Sequence, residues 1–361
     1  MKSYTFRGSP AEVGRAQGAV NPPAARAYLE EWQARRAGEG LGPDFGSPYF
    51  QQNLAFMRRE FPDLIEQIAA FGEAAGMESF EQAYYCHLHW TGPAAEACST
   101  LGIVLEDDGP ALFSTNDIGP DNVDSIVEDT VVCVLPDARP RGLLGVGSQT
   151  HVTVMSAAVN EAGLAMGSNS GHRKFNPVVN PECLNIYFVV HLLAQHCSDC
   201  ADVRHFVEQY RVSGQKGWNL AVVDAAGNIL GLELESENIA ISEAQDGLLL
   251  EVNHFQHPKL QAPSRAADPE FWEGPYYYNS QARVMHVAHY RPVFAQMRTL
   301  VDLVDFSFDV HASGRLVQLP GRNLGNLISC QVVFASARER TIRLHLHPVH
   351  KSDYEEFQYP Q

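Results

Sequence analysis

The sequence predicts an α+β protein, and two observations carry the prediction. The first ninety residues repeat apolar side chains at helical spacing, whereas the chain from Cys98 onward alternates β-rich runs with turn sequences. Two helical stretches follow the first set of strands, and one more precedes the last pair. Such an order gives antiparallel sheets with helices segregated against them.

Residues 3–7 read as a short strand, and Pro10 then opens a helix with Glu12 in its first turn, where a carboxylate suits the helix dipole. Ala24 to Arg36 spaces Ala25, Tyr28, Leu29 and Trp32 at helical intervals until Gly38-Glu39-Gly40. Tyr49 to Ala75 reads as one long helix interrupted near Pro62, and Ser79 caps another that reaches Trp90. A linker of small residues, Thr91-Gly92-Pro93-Ala94-Ala95-Glu96-Ala97, divides a helical N-terminal segment (1–97) from a β-rich region (98–361).

That region opens with a hairpin: Cys98 to Leu105, the turn Glu106-Asp107-Asp108-Gly109, and Ala111 to Thr115. Ser125 to Leu135, Leu143 to Val146, Val152 to Val159 and Leu164 to Met166 read as further strands. Cys183 to His196 and Ala201 to Tyr210 read as helices, the second capped by Ser198-Asp199. Trp218 to Val223 and Ile229 to Leu234 flank a hairpin turn at Asp224 to Asn228, and two more strands lead to Asn253. Residues 256–280 are rich in Pro, Tyr and Trp with little periodicity, and read as a long loop near a substrate. Ala282 to Leu303 reads as a helix broken at Pro292, and strands Leu327 to Phe334 and Thr341 to His347 close the chain.

At 361 residues and 45% hydrophobic composition the chain can bury a large core. Its net charge of −17 argues against nucleic-acid and anionic-membrane partners, which need clustered Lys and Arg. The start lacks the apolar stretch of a signal peptide, and no window reaches the roughly 18 apolar residues of a bilayer span. A cytoplasmic protein is the expectation. Seven cysteines without regular spacing fit reduced thiols better than a disulfide framework.

Cys98 stands where the helical regime gives way to strands. A cut before it would create a new N-terminus carrying a thiol and an α-amine, and that amine, with a pKa of about 7.7 to 8, could take the thiol proton itself. The competing reading is a small buried core residue, the usual fate of cysteine. Asn253, at a strand end, offers an amide N–H for an oxyanion or else caps a turn. Asp117 could hold an ammonium or simply sit in the turn before Gly119-Pro120-Asp121. Asn169, in Gly167-Ser168-Asn169-Ser170-Gly171-His172, could donate to a substrate, or be a loop residue beside glycines.

Four segments in order resemble a known family. Gly8-Ser9-Pro10-Ala11-Glu12-Val13-Gly14 resembles the opening Gly-x-Pro-x-Glu-x-Gly segment of isopenicillin N acyltransferase-like proteins, autoproteolytic N-terminal-nucleophile (Ntn) hydrolases related to bile-salt and penicillin V amidases. Cys98-Ser99-Thr100 is similar to their Cys-Thr nucleophile, Asn160-Glu161-Ala162-Gly163-Leu164-Ala165 to their Asn-x-x-Gly-hydrophobic-Ala hairpin, and Val252-Asn253-His254 to their Thr-Asn-His oxyanion segment. The resemblance implies a four-layer αββα sandwich and self-cleavage between Ala97 and Cys98. It further implies a Cys98 nucleophile, Asn253 as oxyanion donor, Asp117 at the new amine and Asn169 toward the substrate. Ala97 stands where the family has Gly, and Thr115-Asn116-Asp117 replaces its Asn-aromatic-Asp; Arg315 is the nearest candidate for its arginine.

Under this reading the substrate is a small-molecule amide or acyl thioester, no cofactor is required, and residues 1–97 stay as a noncovalent helical chain. A silent binding or scaffold homologue is the alternative from another class. A third is a metal hydrolase using His345, His347 and the nearby His350. Cys197-Ser198-Asp199-Cys200 has zinc-knuckle spacing without a second pair. Trp272, Tyr276, Tyr277 and Tyr278 either form an apolar acyl pocket or pack the 256–280 loop.

Overall fold

The helical opening forms as its capping residues dictate in a computed structural model, which describes residues 2–38, 45–88, 97–152, 155–173, 180–213, 216–235, 238–309, 316–317 and 327–360. After strand β1 (Lys2–Thr5), helix α1 (Pro10–Gly18) begins with a reciprocal box in which the Ser9 hydroxyl accepts from the Glu12 N–H and the Glu12 carboxylate accepts from the Ser9 N–H. Helix α2 (Pro22–Gly38) follows, and then the expected break at Pro62 divides α3 (Pro48–Glu60) from α4 (Pro62–Ala75). Gly76, at φ 73°, ends α4 in the left-handed region that glycine adopts without strain. Ser79 caps α5 (Phe80–His87).

Strands β2 (Ser99–Leu105) and β3 (Gly109–Ile118) form the hairpin behind Cys98. Next come helix α6 (Val123–Asp129) and strands β4 (Thr130–Leu135), β5 (Leu143–Ser148), β6 (Met155–Asn160) and β7 (Ala165–Arg173). The short strands β8 (Leu184–Asn185) and β9 (Val212–Ser213) bracket helices α7 (Val189–His196) and α8 (Cys200–Gln209). Strands β10 (Lys216–Val223), β11 (Ile229–Glu235), β12 (Asn238–Glu243) and β13 (Leu248–Glu251) precede helices α9 (Pro258–Ala267), α10 (Pro269–Trp272), α11 (Pro275–Phe294) and α12 (Leu300–Phe308). The chain ends in β14 (Ile328–Ser336), β15 (Thr341–Leu346) and β16 (Glu355–Gln358).

Three expectations are corrected. Residues 256–280 are not a loop: Pro258, Pro269 and Pro275 each open a helix, two of them capped by His257 and Asp268, because a missing N–H costs nothing in a first helical turn. Residues 123–129 are helical rather than the start of a strand, with Val123 packed on Ile118 and Cys330. The helix from residue 183 begins only at Val189, after a strand and a tight 3₁₀ turn.

The strands form an eight-stranded sheet in the order β1-β4-β5-β6-β7-β10-β11-β12 and a six-stranded sheet in the order β13-β2-β3-β14-β15-β16. Alternation along single strands stacks them. In β4, Val131, Cys133 and Leu135 join the core beneath α1–α5, α7 and α8, while Val132 and Val134 join the core between the sheets. In β3, Leu112 faces the inter-sheet core, whereas Ala111 and Phe113 pack with Val287, Phe294 and Leu303 of α11 and α12. The layers therefore run α, β, β, α, with β1 entering the larger sheet parallel to β4. Among the described residues, no helix is long and apolar enough to cross a membrane.

Candidate active site

Cys98 lies immediately before β2, at the end of the six-stranded sheet, and is 5% exposed. Because Ser99 pairs with Thr115, Cys98 falls beside Asn116 of β3, and its thiol donates to Asn116 Oδ1 at 3.6 Å. The preceding peptide is also anchored, the Ala97 N–H donating to the Asp117 carbonyl at 2.9 Å.

The residue that ties the site together is one that sequence reading missed. Arg283 reaches in from α11 and is 1% exposed. Its Nη1 donates to the Cys98 carbonyl and, at 2.8 Å, to Ser99 Oγ; its Nη2 donates to Asn253 Oδ1 at 2.8 Å, and its Nε to Asn279 Oδ1 at 3.0 Å. Burial pushes this guanidinium down to about 10, against the pull of the Asp117 and Cys98 charges. Along α11 the buried stripe reads Asn279, Arg283, Val287 at four-residue intervals, so polar groups stand where a core-facing helix wants apolar ones, a pattern visible only once the buried face is known.

Asn253 follows the end of β13. Its Nδ2 donates to the Ser170 carbonyl at 2.8 Å and its backbone N–H to Ser280 Oγ at 3.2 Å. Asn219 of β10 clasps the chain on both sides of it, Nδ2 donating to the Val252 carbonyl at 2.6 Å and the His254 carbonyl at 3.2 Å. Asn169, paired with Asn219 across β7 and β10, bridges the two sheets: Thr100 Oγ1 donates to its Oδ1 at 2.8 Å, and its Nδ2 donates to the Glu251 carbonyl at 2.8 Å. Asn169 thus fastens the strands that carry Cys98 and Asn253.

Asp117 is fully buried, accepting from Ser329 Oγ at 2.5 Å and Thr115 Oγ1 at 3.3 Å. Burial pushes its carboxyl up to about 7, against the Ser329 hydroxyl and the Arg283 charge, which favour ionisation. Arg315 lies outside the described residues.

The thiol borders a cavity of about 60 Å³ where Ile126, Met155 and Trp218 form the apolar wall. Of the two readings of the aromatic stretch, packing describes Trp272 and Tyr277. Trp272 and Tyr277 pack on each other and on His254, Tyr276 and Tyr278 are exposed, and none of the four lines the cavity at the thiol. His345 is buried against Phe308 and Phe334, its Nδ1 on the His350 carbonyl at 3.0 Å. Cys200 opens α8 and donates its S–H to the Asn228 carbonyl at 3.3 Å. Among the described residues no group of three or more His, Cys, Asp or Glu side chains is placed to hold a metal ion.

Four αββα layers with a cysteine at the head of a central strand define the Ntn-hydrolase class of fold. Within that class the chain belongs to the acyl-coenzyme A:6-aminopenicillanic acid acyl-transferase family, whose sequence profile matches residues 104–319. Among solved structures it is similar to penicillin V acylase from Agrobacterium tumefaciens, at 11% identity over 69% of this chain and 83% of that one, with a TM-score of 0.49. Two variants of conjugated bile acid hydrolase from Clostridium perfringens match at 10% identity over 72% and 73% of this chain and 97% of each of theirs, with TM-scores of 0.44 and 0.42. Comparison with curated proteins finds no match.

Proposed function

We propose that the chain is an autoproteolytic cysteine hydrolase or acyltransferase acting on a small linear amide or acyl thioester through a Cys98 thioester. The observation that carries this reading is the convergence on one point: the Cys98 thiol opens on a cavity, and Arg283 links its carbonyl to Asn253. In the precursor, the Cys98 sulfur gives up its proton and attacks the Ala97 carbonyl carbon, the Ala97–Cys98 C–N bond breaks, and the freed nitrogen takes that proton to become the Cys98 α-amine, leaving Ala97 on sulfur as a thioester. Water then hydrolyses the resulting thioester, leaving Ala97 with a carboxylate.

In the mature enzyme the thiol gives its proton to the α-amine as sulfur bonds to the substrate carbonyl carbon. The proton passes to the leaving amine when the C–N bond breaks. Water or a second amine then takes the acyl group. Asn253 suits the oxyanion: one Nδ2 hydrogen goes to the Ser170 carbonyl and the second is left for a developing negative charge. Asp117 suits the α-ammonium, its carbonyl already holding the peptide just upstream.

The test is the intact mass of the purified protein under denaturing conditions. The reading expects two chains summing to the full mass plus one water, the larger beginning at Cys98, and a single uncut chain for Cys98→Ala. A single wild-type chain whose Cys98 resists thiol reagents would overturn it in favour of a silent homologue.

A further inference from the structure

Two buried carboxyl groups lie between the sheets, one contributed by each. Glu251, the last residue of β13, and Glu233, on β11, are each 2% exposed. The Glu251 carboxyl rests on the backbone of β11 where Gly231 leaves room, since a Cβ there would collide with its Oε1. Glu233 stands two residues further along that strand and so on the same face. Its carboxylate accepts from the Gln256 N–H at 2.5 Å and the His257 N–H at 3.0 Å, which fastens the chain entering α9 to the larger sheet. Glu251 Oε2 is buried with no hydrogen-bond partner, and so is Oδ1 of Asn219, the cross-strand neighbour of Glu233.

A buried acceptor without a donor is costly, and a second carboxylate nearby makes ionisation costlier still. The other charged or titratable side chains on the surrounding elements are engaged elsewhere. Glu235 accepts from Asn238 Nδ2 at 3.3 Å, His254 Nδ1 lies 2.7 Å from Ser280 Oγ, and His257 Nδ1 accepts from the Lys259 N–H at 3.1 Å. The Lys259 ammonium is on the Ile239 carbonyl at 2.7 Å, Arg265 covers the Trp272 ring, and Arg283 holds Asn253 Oδ1. Among the described residues no cation offsets the two carboxylates. Burial and then the Glu233 charge push the Glu251 carboxyl up, and burial pushes Glu233 up against the Gln256 and His257 N–H groups. A proton on Glu251 Oε2 removes one charge and turns an orphaned acceptor into a donor.

We propose that Glu251 and Glu233 share a proton and so form a latch that holds residues 251–257 between the sheets. In alkali hydroxide takes that proton, forming water, and two buried negative charges are left facing each other with the segment that carries Asn253 between their backbones. Glu251 is then a positioning residue that acts on turnover through Asn253. For that consequence alone the inference rests on reading Asn253 as the oxyanion donor.

Two measurements on the full chain test the latch without substrate. The infrared difference spectrum of wild type minus Glu251→Gln, taken at about pH 8, should contain the carbonyl stretch of a protonated carboxylic acid, because ordinary carboxyls are ionised there. Amide hydrogen exchange should show the protection of residues 252–260, corrected for the intrinsic rate, falling at least about tenfold from about pH 7 to about pH 10, the order expected for like charges in a buried site. In Glu251→Gln, and in Glu233→Gln as a second variant, that fall should shrink to within about threefold, because either leaves at most one charge. Absence of the carboxylic-acid band, or a fall that persists in both variants, would overturn the latch. With p-nitrophenyl butyrate as probe, kcat should decline on the alkaline side in the wild type and hold in Glu251→Gln; parallel profiles would strike the positioning role. A protein that leaves this ester uncleaved at every pH would overturn the reading of Cys98 and Asn253, and with it the positioning role, while exchange still decides the latch.

Discussion

Replacing Arg283 with methionine removes a buried cation that holds the Cys98 carbonyl, Ser99 Oγ and Asn253 Oδ1 at once. The acceptors left behind are buried, and breaking such a charged network costs about 3–5 kcal/mol. Unfolding entropy of about 2.1 cal/mol/K per residue gives about 0.76 kcal/mol/K for 361 residues, so the melting temperature should drop by about 4–7 °C. A fold of this size should survive that, which makes the variant assayable. Its Asn253 amide, no longer oriented from Oδ1, should lose a large part of its oxyanion stabilisation, lowering kcat by about 10- to 100-fold with a smaller change in KM. Calorimetry gives the first quantity, and steady-state turnover with denaturing gels for self-cleavage gives the second. Because the Arg283 charge favours ionised Asp117, the Asp117 midpoint should also rise above its wild-type value of about 7 in a pH titration. A stable Arg283→Met protein that cleaves itself and turns over like the wild type would refute the reasoning.

Asn219→Leu should release the Val252 and His254 carbonyls and lower kcat by about 10-fold or more with KM little changed; a drop in melting temperature alone would assign it a purely structural role. Asp117 titrates near 3.8 when exposed and about 7 when folded, so between those values the unfolded chain has released a proton the native state keeps. Stability from this group is therefore full below about pH 4 and declines toward pH 7 by up to about 4 kcal/mol, and urea titrations of wild type against Asp117→Asn should show the difference disappear at acid pH. Gly102→Val should destabilise by about 1–3 kcal/mol, since even a Cβ there would lie 2.7 Å from Ile229 Cγ2 and 2.9 Å from Val223 Cγ2 on the facing sheet; a thermal melt checks it.

Much of the architecture was legible because short-range physics sets it. Ser9 with Glu12, Pro62, Gly76 and Ser79 punctuate the helices through their own backbone chemistry, and the near-continuous apolar runs in residues 101–105 and 131–135 mark strands buried on both faces. The stretch from 256 to 280 misled because proline both terminates and initiates helices, and only the caps at His257 and Asp268 tell which. Ile126 and Val127 read as strand, yet they belong to one helical stretch packed on the end of the six-stranded sheet, a tertiary choice no local propensity contains. Within the site, Cys98 and Asn253 could be named from their segments. Arg283 could not, because its partners lie 30 and 184 residues away in sequence and an arginine on a helix normally faces water.

The β1 strand and the five helices after it share one core with the eight-stranded sheet. If the chain is cut before Cys98, that core and the hydrogen bonds across it, such as the β1–β4 ladder and Asn53 Nδ2 on the Cys183 carbonyl, are what hold two polypeptides together, and unfolding changes from a unimolecular into a dissociative event. The uncut precursor can refold at any dilution. The cut form would have to find its partner again, with a melting temperature that rises with protein concentration and a recovery that fails on dilution. Processing would thereby give the fold a history: assembled once as a single chain, and thereafter protected by the slowness of its opening rather than by its capacity to re-form.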